Sequence, residues 1–503
     1  MCKTKEHQPA SRLPPPWLLL YPLPLPALLL LLLVVPFLLP FLMDASAPPQ
    51  YRRFSSRPGP APSSVLASSA AANELPAYSR RNTLAQPIPA GLRREPTEHV
   101  FQSAEGKNRP WITLRVYSSA KSARSLPTFF EKENINGKLE VDAVRGDSIQ
   151  AITVVVTGRI ITGSNIDDSF VFLHHTQPIW SKSPDAPRVP SPSEGASANK
   201  LVGHCFWPLS IPLPRTVNVP AGSGETRPFR LPETFLERHT KVSVQYDLTI
   251  VLSRGKLRAD NRIKTAFGYV PSTRPEPPSL LRQLAYQQFL PLPGPFTDPE
   301  GWKTLRPVLV RGMMFRTQRV EAKCTLSLAK PLCYARGTVL PCFLTLESSS
   351  PQALDLLCTP SAIALSLRRR VRFYNKPSSS RQDVAWNESM EDTGRAVWWP
   401  STAADAHSDS NTRYLEGEIR LEKDLRPTSE MGHFSISYAV VLCPFTAVGF
   451  SSDSTALLSE PVEIATMHPK GPRTNAYSPP AYDSSRRHVG EERVPTFDVG
   501  AFF

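Results

Sequence analysis

Along residues 241–253 every second position is apolar. Val242, Val244, Tyr246, Leu248, Ile250 and Leu252 interleave with Lys241, Ser243, Gln245, Asp247 and Thr249. Successive residues of a strand point to opposite faces, so the pattern predicts an antiparallel strand with one side in a core. Ile112, Leu114 and Val116 alternate in the same way. Asn136-Gly137 reads as a hairpin turn placed just before the strand-like residues 139–144. Residues 149–161 predict a long strand, buried on both faces where Val154, Val155 and Val156 are consecutive. A polar loop, 181–200, separates it from the run 205–213, where Pro208 and Pro212 restrict the strand to an edge or a bulge.

The texture changes between residues 271 and 311. One short helix is predicted there over 280–288, capped by Ser279, with Leu281, Leu284 and Ala285 on one side. Strand patterns resume at 322–328, 338–347, 362–374, 413–421, 435–442 and 462–467, interrupted by a long polar loop at 375–411. Short strands in two blocks, with almost no helix, predict an all-β chain of two tandem β-sandwiches. The flanks differ: 44–110 and 469–503 are rich in Pro, Ser and Arg, have no sustained period, and read as disordered tails. The expected organisation is an apolar leader (1–43), a tail (44–110), a sandwich (111–275), a linker (276–314), a second sandwich (315–468) and a tail (469–503).

Proline fills 54 of 503 positions, which keeps part of the chain out of any core but leaves enough for two domains. The net charge of +14 suits an acidic partner or an anionic membrane surface. Zinc-finger spacing and aromatic-interleaved basic modules are both missing, so nucleic acid is not an expected partner. Cys324, Cys333 and Cys342, spaced nine apart beside apolar runs, fit buried reduced thiols better than a metal site or disulfides. The leader is apolar from Trp17 to Met43, but Pro22, Pro24, Pro26, Pro36 and Pro40 leave only 27–35 uninterrupted. A membrane span and an export signal are two readings of it. A third, an upstream start preceding a native start at Met43, agrees with the cytosolic character of everything downstream.

The sequence holds no nucleophile elbow, phosphate-binding loop, zinc-protease helix or dinucleotide fingerprint, so no enzymatic activity and no cofactor are expected. His174-His175 would point to opposite faces of a strand, which does not favour a metal site. Trp398-Trp399 reads as packing onto a sheet, or else as a recognition surface. Arg368, Arg370 and Arg372 alternate on a strand, opposite Arg369, Val371 and Phe373. They form either a solvated sheet face or a patch for a phosphoinositide headgroup or an acidic partner.

One phrase recurs outside both blocks. Pro48-Pro49-Gln50-Tyr51 runs into Arg52-Arg53, Leu75-Pro76-Ala77-Tyr78 precedes Arg80-Arg81, and Pro479-Pro480-Ala481-Tyr482 precedes Arg486-Arg487. A proline-led segment already lies near the polyproline II conformation, so an aromatic groove binds it at little ordering cost. Two prolines and a tyrosine at this offset are the ligand type of WW domains, although chance strings arise in so proline-rich a chain. Pro479, Pro480 and Tyr482, Pro48, Pro49 and Tyr51, and Pro76 with Tyr78, are therefore the candidate WW-binding residues. Ser55 and Thr83 follow arginine pairs and read as basic-directed phosphorylation sites, where added negative charge would alter WW binding.

Several local motifs, taken in order, resemble fungal α-arrestin-like proteins of the arrestin superfamily. In the first block these are Gly137-Lys138-Leu139, Val155-Val156-Thr157-Gly158, Pro208-Leu209-Ser210-Ile211-Pro212, Leu231-Pro232, Tyr246-Asp247-Leu248 and Phe267-Gly268-Tyr269-Val270-Pro271. Lys330-Pro331-Leu332-Cys333-Tyr334-Ala335-Arg336-Gly337, entering Leu340-Pro341-Cys342-Phe343-Leu344, carries the likeness into the second, and together they cover about 110 to 468. The resemblance implies two immunoglobulin-like sandwiches and a cytosolic adaptor peripheral to the plasma membrane or endosome. It also implies partners: a WW-domain ubiquitin ligase of the HECT type, and the cytosolic tails of membrane transporters or receptors that are ubiquitinated and endocytosed. Motifs at both ends depart from the commonest family pattern, and the Leu75 copy lacks the first proline. Two alternatives stand beside this reading, a membrane-anchored β-sandwich receptor or surface protein and a signalling scaffold without ubiquitin transfer.

Overall fold

The alternation read at 241–253 becomes the strand Ser243–Ser253, whose Val244, Tyr246, Leu248, Ile250 and Leu252 are all buried. A computed structural model describes residues 95–104, 110–143, 149–164, 168–182, 196–197, 200–220, 225–255, 258–375, 386–401, 410–452 and 457–482. Asp247, placed by the pattern on the wet face, is also buried, where Arg159 and Lys264 from the flanking strands meet its carboxylate. Such a charge is tolerated out of water only when paired.

Five strands form the sheet around this one, in the order Thr128–Phe130, Asn261–Val270, Ser243–Ser253, Ala151–Ile161, Ser169–Ser181. A four-stranded sheet faces it, ordered Thr97–Ala104, Pro110–Ser118, Ile135–Ala143, Gly203–Ile211. Ile112, Leu114, Val141 and Trp207 of the smaller sheet share a core with Ile152, Val156, Tyr246 and Phe267 of the larger. The proline-bearing run is the edge strand Gly203–Ile211, as its missing N–H groups require.

Two local expectations fail here. Asn136-Gly137 is not a turn but lies inside the central strand Ile135–Ala143, paired to Tyr117 and Val116 on one side and Ser210 and Leu209 on the other. Glycine is needed there for closeness, because a Cβ would stand 2.4 Å from the Arg115 carbonyl oxygen. The strand Ala151–Ile161 is buried on one face only: Val154 and Val156 are buried while Val155 is half-exposed. Its outer side chains therefore lie outside the core that the two sheets enclose.

The second block is one curled sheet, running Cys333–Ala335, Leu458–Ala465, Phe434–Leu442, Leu365–Tyr374, Trp386–Pro400, Thr412–Arg420, Val339–Glu347, Gln318–Ala329, Val308–Met314, Phe450–Ser452. Trp386–Pro400 joins its two arms: residues up to Arg395 pair with Leu365–Tyr374, and those from Ala396 pair with Thr412–Arg420. Fifteen residues long, this strand occupies the segment read as a polar loop. Its first half carries few apolar residues because ion pairs, Arg368–Asp392 at 2.7 Å, Arg369–Glu391 at 2.7 Å and Arg370–Glu388 at 2.5 Å, hold it to its neighbour.

Helix α1 spans Leu280–Gln288 as expected, its Ser279 hydroxyl accepting from the Arg282 N–H at 3.3 Å. The buried face, however, is Arg282, Ala285 and Tyr286, while Leu280, Leu281 and Leu284 are exposed. Arg282 is accommodated because its guanidinium donates to the carbonyls of Gly301 (2.7 Å) and Lys330 (2.8 Å) and lies over the Trp302 ring. Beyond the helix, Trp302–Thr304 and Val308–Met314 already pair with Gln318–Ala329, so the end of the linker is built into the second sheet.

The two β-blocks belong to one compact unit, and polar contacts cross between them. Glu233 meets Arg336 at 3.0 Å and Arg426 at 3.3 Å, and Glu237 meets Arg369 at 2.8 Å. Phe235 packs on Phe434, and Phe170 on His433. No helix among the described residues is long and apolar enough to cross a membrane.

Candidate functional site

Of the three proline–tyrosine motifs, the copy at Tyr482 lies among the described residues. Pro48, Pro49 and Tyr51, Pro76 and Tyr78, Ser55 and Thr83, and the leader with its start at Met43, lie outside them.

The chain reaches Tyr482 along a path fixed by hydrogen bonds. Leaving the strand Leu458–Ala465, Thr466 exchanges bonds with Thr273: its N–H donates to the Thr273 hydroxyl at 2.9 Å, and its own hydroxyl accepts from the Thr273 N–H at 3.0 Å. Residues 469–482 form no helix or strand, and Gly471 sits in the left-handed region at φ +107, which glycine adopts without a steric cost. The segment then crosses α1. The Asn475 amide donates to the Tyr286 carbonyl at 2.9 Å, and the Tyr477 ring stacks on the Tyr286 ring at 6.2 Å.

A buried carboxylate ties the crossing down. Glu418, on the strand Thr412–Arg420, is 5 % exposed and accepts from the N–H groups of Tyr477 (2.9 Å) and Ser478 (3.1 Å). Both oxygens are used, and a charged acceptor makes each bond stronger than a neutral one. Burial, and then the charge of Glu418, raises the Tyr477 hydroxyl above its ordinary pKa.

Pro479-Pro480-Ala481-Tyr482 follows at once. The Tyr482 N–H donates to the Pro479 carbonyl at 3.0 Å, closing a β-turn with Pro480 at its second position, where the fixed proline φ fits. Pro480, Ala481 and Tyr482 are exposed, Tyr482 by 44 %. Polyproline II has no internal hydrogen bonds, so docking in a WW groove requires this one solvent-accessible bond to open. The motif is thus presented at the surface, one residue beyond an anchored strap.

The arginine patch has a different geometry from the one expected of a free cationic face. Arg368, Arg370 and Arg372 do lie along Leu365–Tyr374, but Arg368 pairs with Asp392 and Arg370 with Glu388. Arg372 lies 3.6 Å from Glu388 and over the Trp386 ring. An incoming anion would compete with these carboxylates. Trp398 is buried, packed against Gly417, whereas Trp399 is half-exposed. His174 is exposed and His175 half-exposed on Ser169–Ser181, and among the described residues no cluster of three His, Cys, Asp or Glu side chains is suited to hold a metal.

Cys205, Cys324 and Cys342 are buried and Cys333, Cys358 and Cys443 half-buried, and none of the six is in a disulfide. Burial pushes Cys324 up to about 12, and Cys333 to about 12 with Glu463 adding to it, so neither is a nucleophile near neutral pH.

Sequence reasoning missed the strap and the network around Glu233 and Glu237. Their partners are far away in sequence, as with Glu418 and Tyr477, and neither Glu233 nor Glu418 stands in a pattern that marks it. No protein-family model matches the chain, and no curated protein matches it.

Proposed function

We propose that the chain is a non-enzymatic adaptor that recruits a WW-domain ubiquitin ligase of the HECT type to the cytosolic tails of membrane transporters or receptors. The observation that supports this reading is the exposed Pro479-Pro480-Ala481-Tyr482 turn at the end of an anchored strap. The body has the two β-rich blocks that an arrestin-like double sandwich would need, and the motif-bearing segments flank it. On this reading the body holds the cargo while the tail motifs hold the ligase.

Single short peptides bind weakly, so the mechanism rests on effective concentration. Several motifs on one chain meeting several WW domains gain on the order of a hundredfold in avidity. The test is a pull-down of the full chain with a multi-WW ligase. Tyr482→Ala is expected to reduce capture strongly and Tyr482→Ala with Tyr51→Ala to abolish it, whereas undiminished capture by the double variant refutes the proposal.

A further inference from the structure

Where the linker and the C-terminal strap pass each other, they border a cleft of ≈ 850 Å³ in which three cations pair with no carboxylate among the described residues. We propose that this cleft, lined by Arg274, Lys470 and Arg473, binds a multiply phosphorylated ligand through its phosphates. Its volume lies in the range of small-molecule sites.

The charge balance carries the proposal. Among the described residues none of these three cations pairs with a carboxylate. Most of the arginines on the neighbouring sheet do, from Arg368 with Asp392 to Arg426 with Glu233. The one carboxylate in the lining, Glu133, accepts from the Phe130 N–H at 2.9 Å and from the Ser119 hydroxyl at 3.2 Å, not from these cations. Arg336 in the wall is already committed to Glu233.

The two arginines are also held in place before any ligand arrives. The Arg274 guanidinium donates to the His468 carbonyl and lies against the Met467 sulfur at 3.6 Å. Arg473 approaches the other side of His468, with Nη1 3.3 Å from Nε2. Burial first, then Arg473 and Arg274, lower the His468 pKa, so the imidazole stays neutral beside them. Two guanidinium groups and an ammonium around one concavity repel each other unless an anion enters. Planar guanidinium forks match phosphate oxygens two at a time, and three charges call for more than one phosphate.

The same chemistry exists free and on a lipid headgroup, and the test separates them. Titration calorimetry of the full chain with inorganic tripolyphosphate is expected to give one site. Arg274→Gln, Lys470→Gln and Arg473→Gln should each weaken it by about tenfold. Arg311→Gln, which breaks a surface pair with Glu321 instead, should leave it unchanged. All three cleft positions are exposed, so folding is not at stake, and Arg473→Lys should recover part of the affinity. Vesicles carrying a phosphoinositide form the second arm. Capture that tripolyphosphate displaces assigns the phosphates to a headgroup, and no capture assigns them to a soluble ligand. Equal tripolyphosphate binding by wild type and the triple glutamine variant, no binding by wild type, or vesicle capture indifferent to both, overturns the site.

Discussion

At the scale of single residues, two glycines show how sequence identity is set by closeness rather than by backbone freedom. Neither Gly417 nor Gly137 has a positive φ. A Cβ at Gly417 would stand 2.4 Å from Cε3 of Trp398, which is 1 % exposed, and one at Gly137 would meet a carbonyl. The Trp398 ring lies flat over the strand Thr412–Arg420 because residue 417 has no side chain. Gly417→Ala is therefore expected to destabilise the fold by about 1–3 kcal/mol, the usual cost of overpacking a core. In a Trp398→Phe background the smaller ring leaves room and the penalty should shrink. Chemical denaturation of the four variants measures both, and an equal penalty in the two backgrounds would show that the contact is not the cause.

At the scale of elements, the strap is a tail segment held by two bonds to one buried carboxylate. Glu418→Ala leaves the N–H groups of Tyr477 and Ser478 without their acceptor, and bonds to charged groups contribute about 1.5–3 kcal/mol each. Amide hydrogen exchange at these two residues is expected to speed up about tenfold or more, while Ser243–Ser253 stays protected. Unchanged exchange at both would mean that the contacts on α1, the Asn475 bond to the Tyr286 carbonyl and the Tyr286–Tyr477 stack, hold the strap without Glu418. The same comparison explains what the sequence made legible. Strands that bury one apolar face, such as Ser243–Ser253 and Phe434–Leu442, stand out by period, and Ser279 marked the start of α1. Trp386–Pro400 did not stand out, because its cohesion comes from carboxylates facing arginines across the ladder. The face of α1 was misread because Arg282 finds two carbonyl acceptors and an aromatic ring in the interior, leaving the leucines outside. The proline–tyrosine motif was legible as a string, but its strap was not, since Glu418 and Tyr477 meet only in the fold.

At the scale of the whole molecule, the contact between the two blocks combines charge with aromatic packing, and one histidine in it is expected to make it sensitive to acid. His433 lies 4.3 Å from the Phe170 ring and 5.2 Å from the Tyr374 ring, and burial lowers its pKa below 6.5. Burial likewise lowers His99, against the opposing bond to the Ala123 carbonyl. A histidine with a depressed folded pKa binds its proton more readily when the chain is unfolded. Its contribution to stability is complete above the unfolded value of 6.5 and is lost as pH falls below it. Carboxylates held below their ordinary values, such as Glu140 beside Lys138 and Asp392 beside Arg368, act in the same direction but only at lower pH. A fall in thermal midpoint between pH 7.5 and 5.5 is therefore expected from the histidines. His433→Phe keeps an aromatic ring between Phe170 and Tyr374 and removes the proton site. It is expected to flatten that fall while leaving the midpoint at pH 7.5 close to wild type. An equally steep fall in the variant would assign the acid sensitivity to His99 and His468, and would leave the contact between the blocks independent of pH.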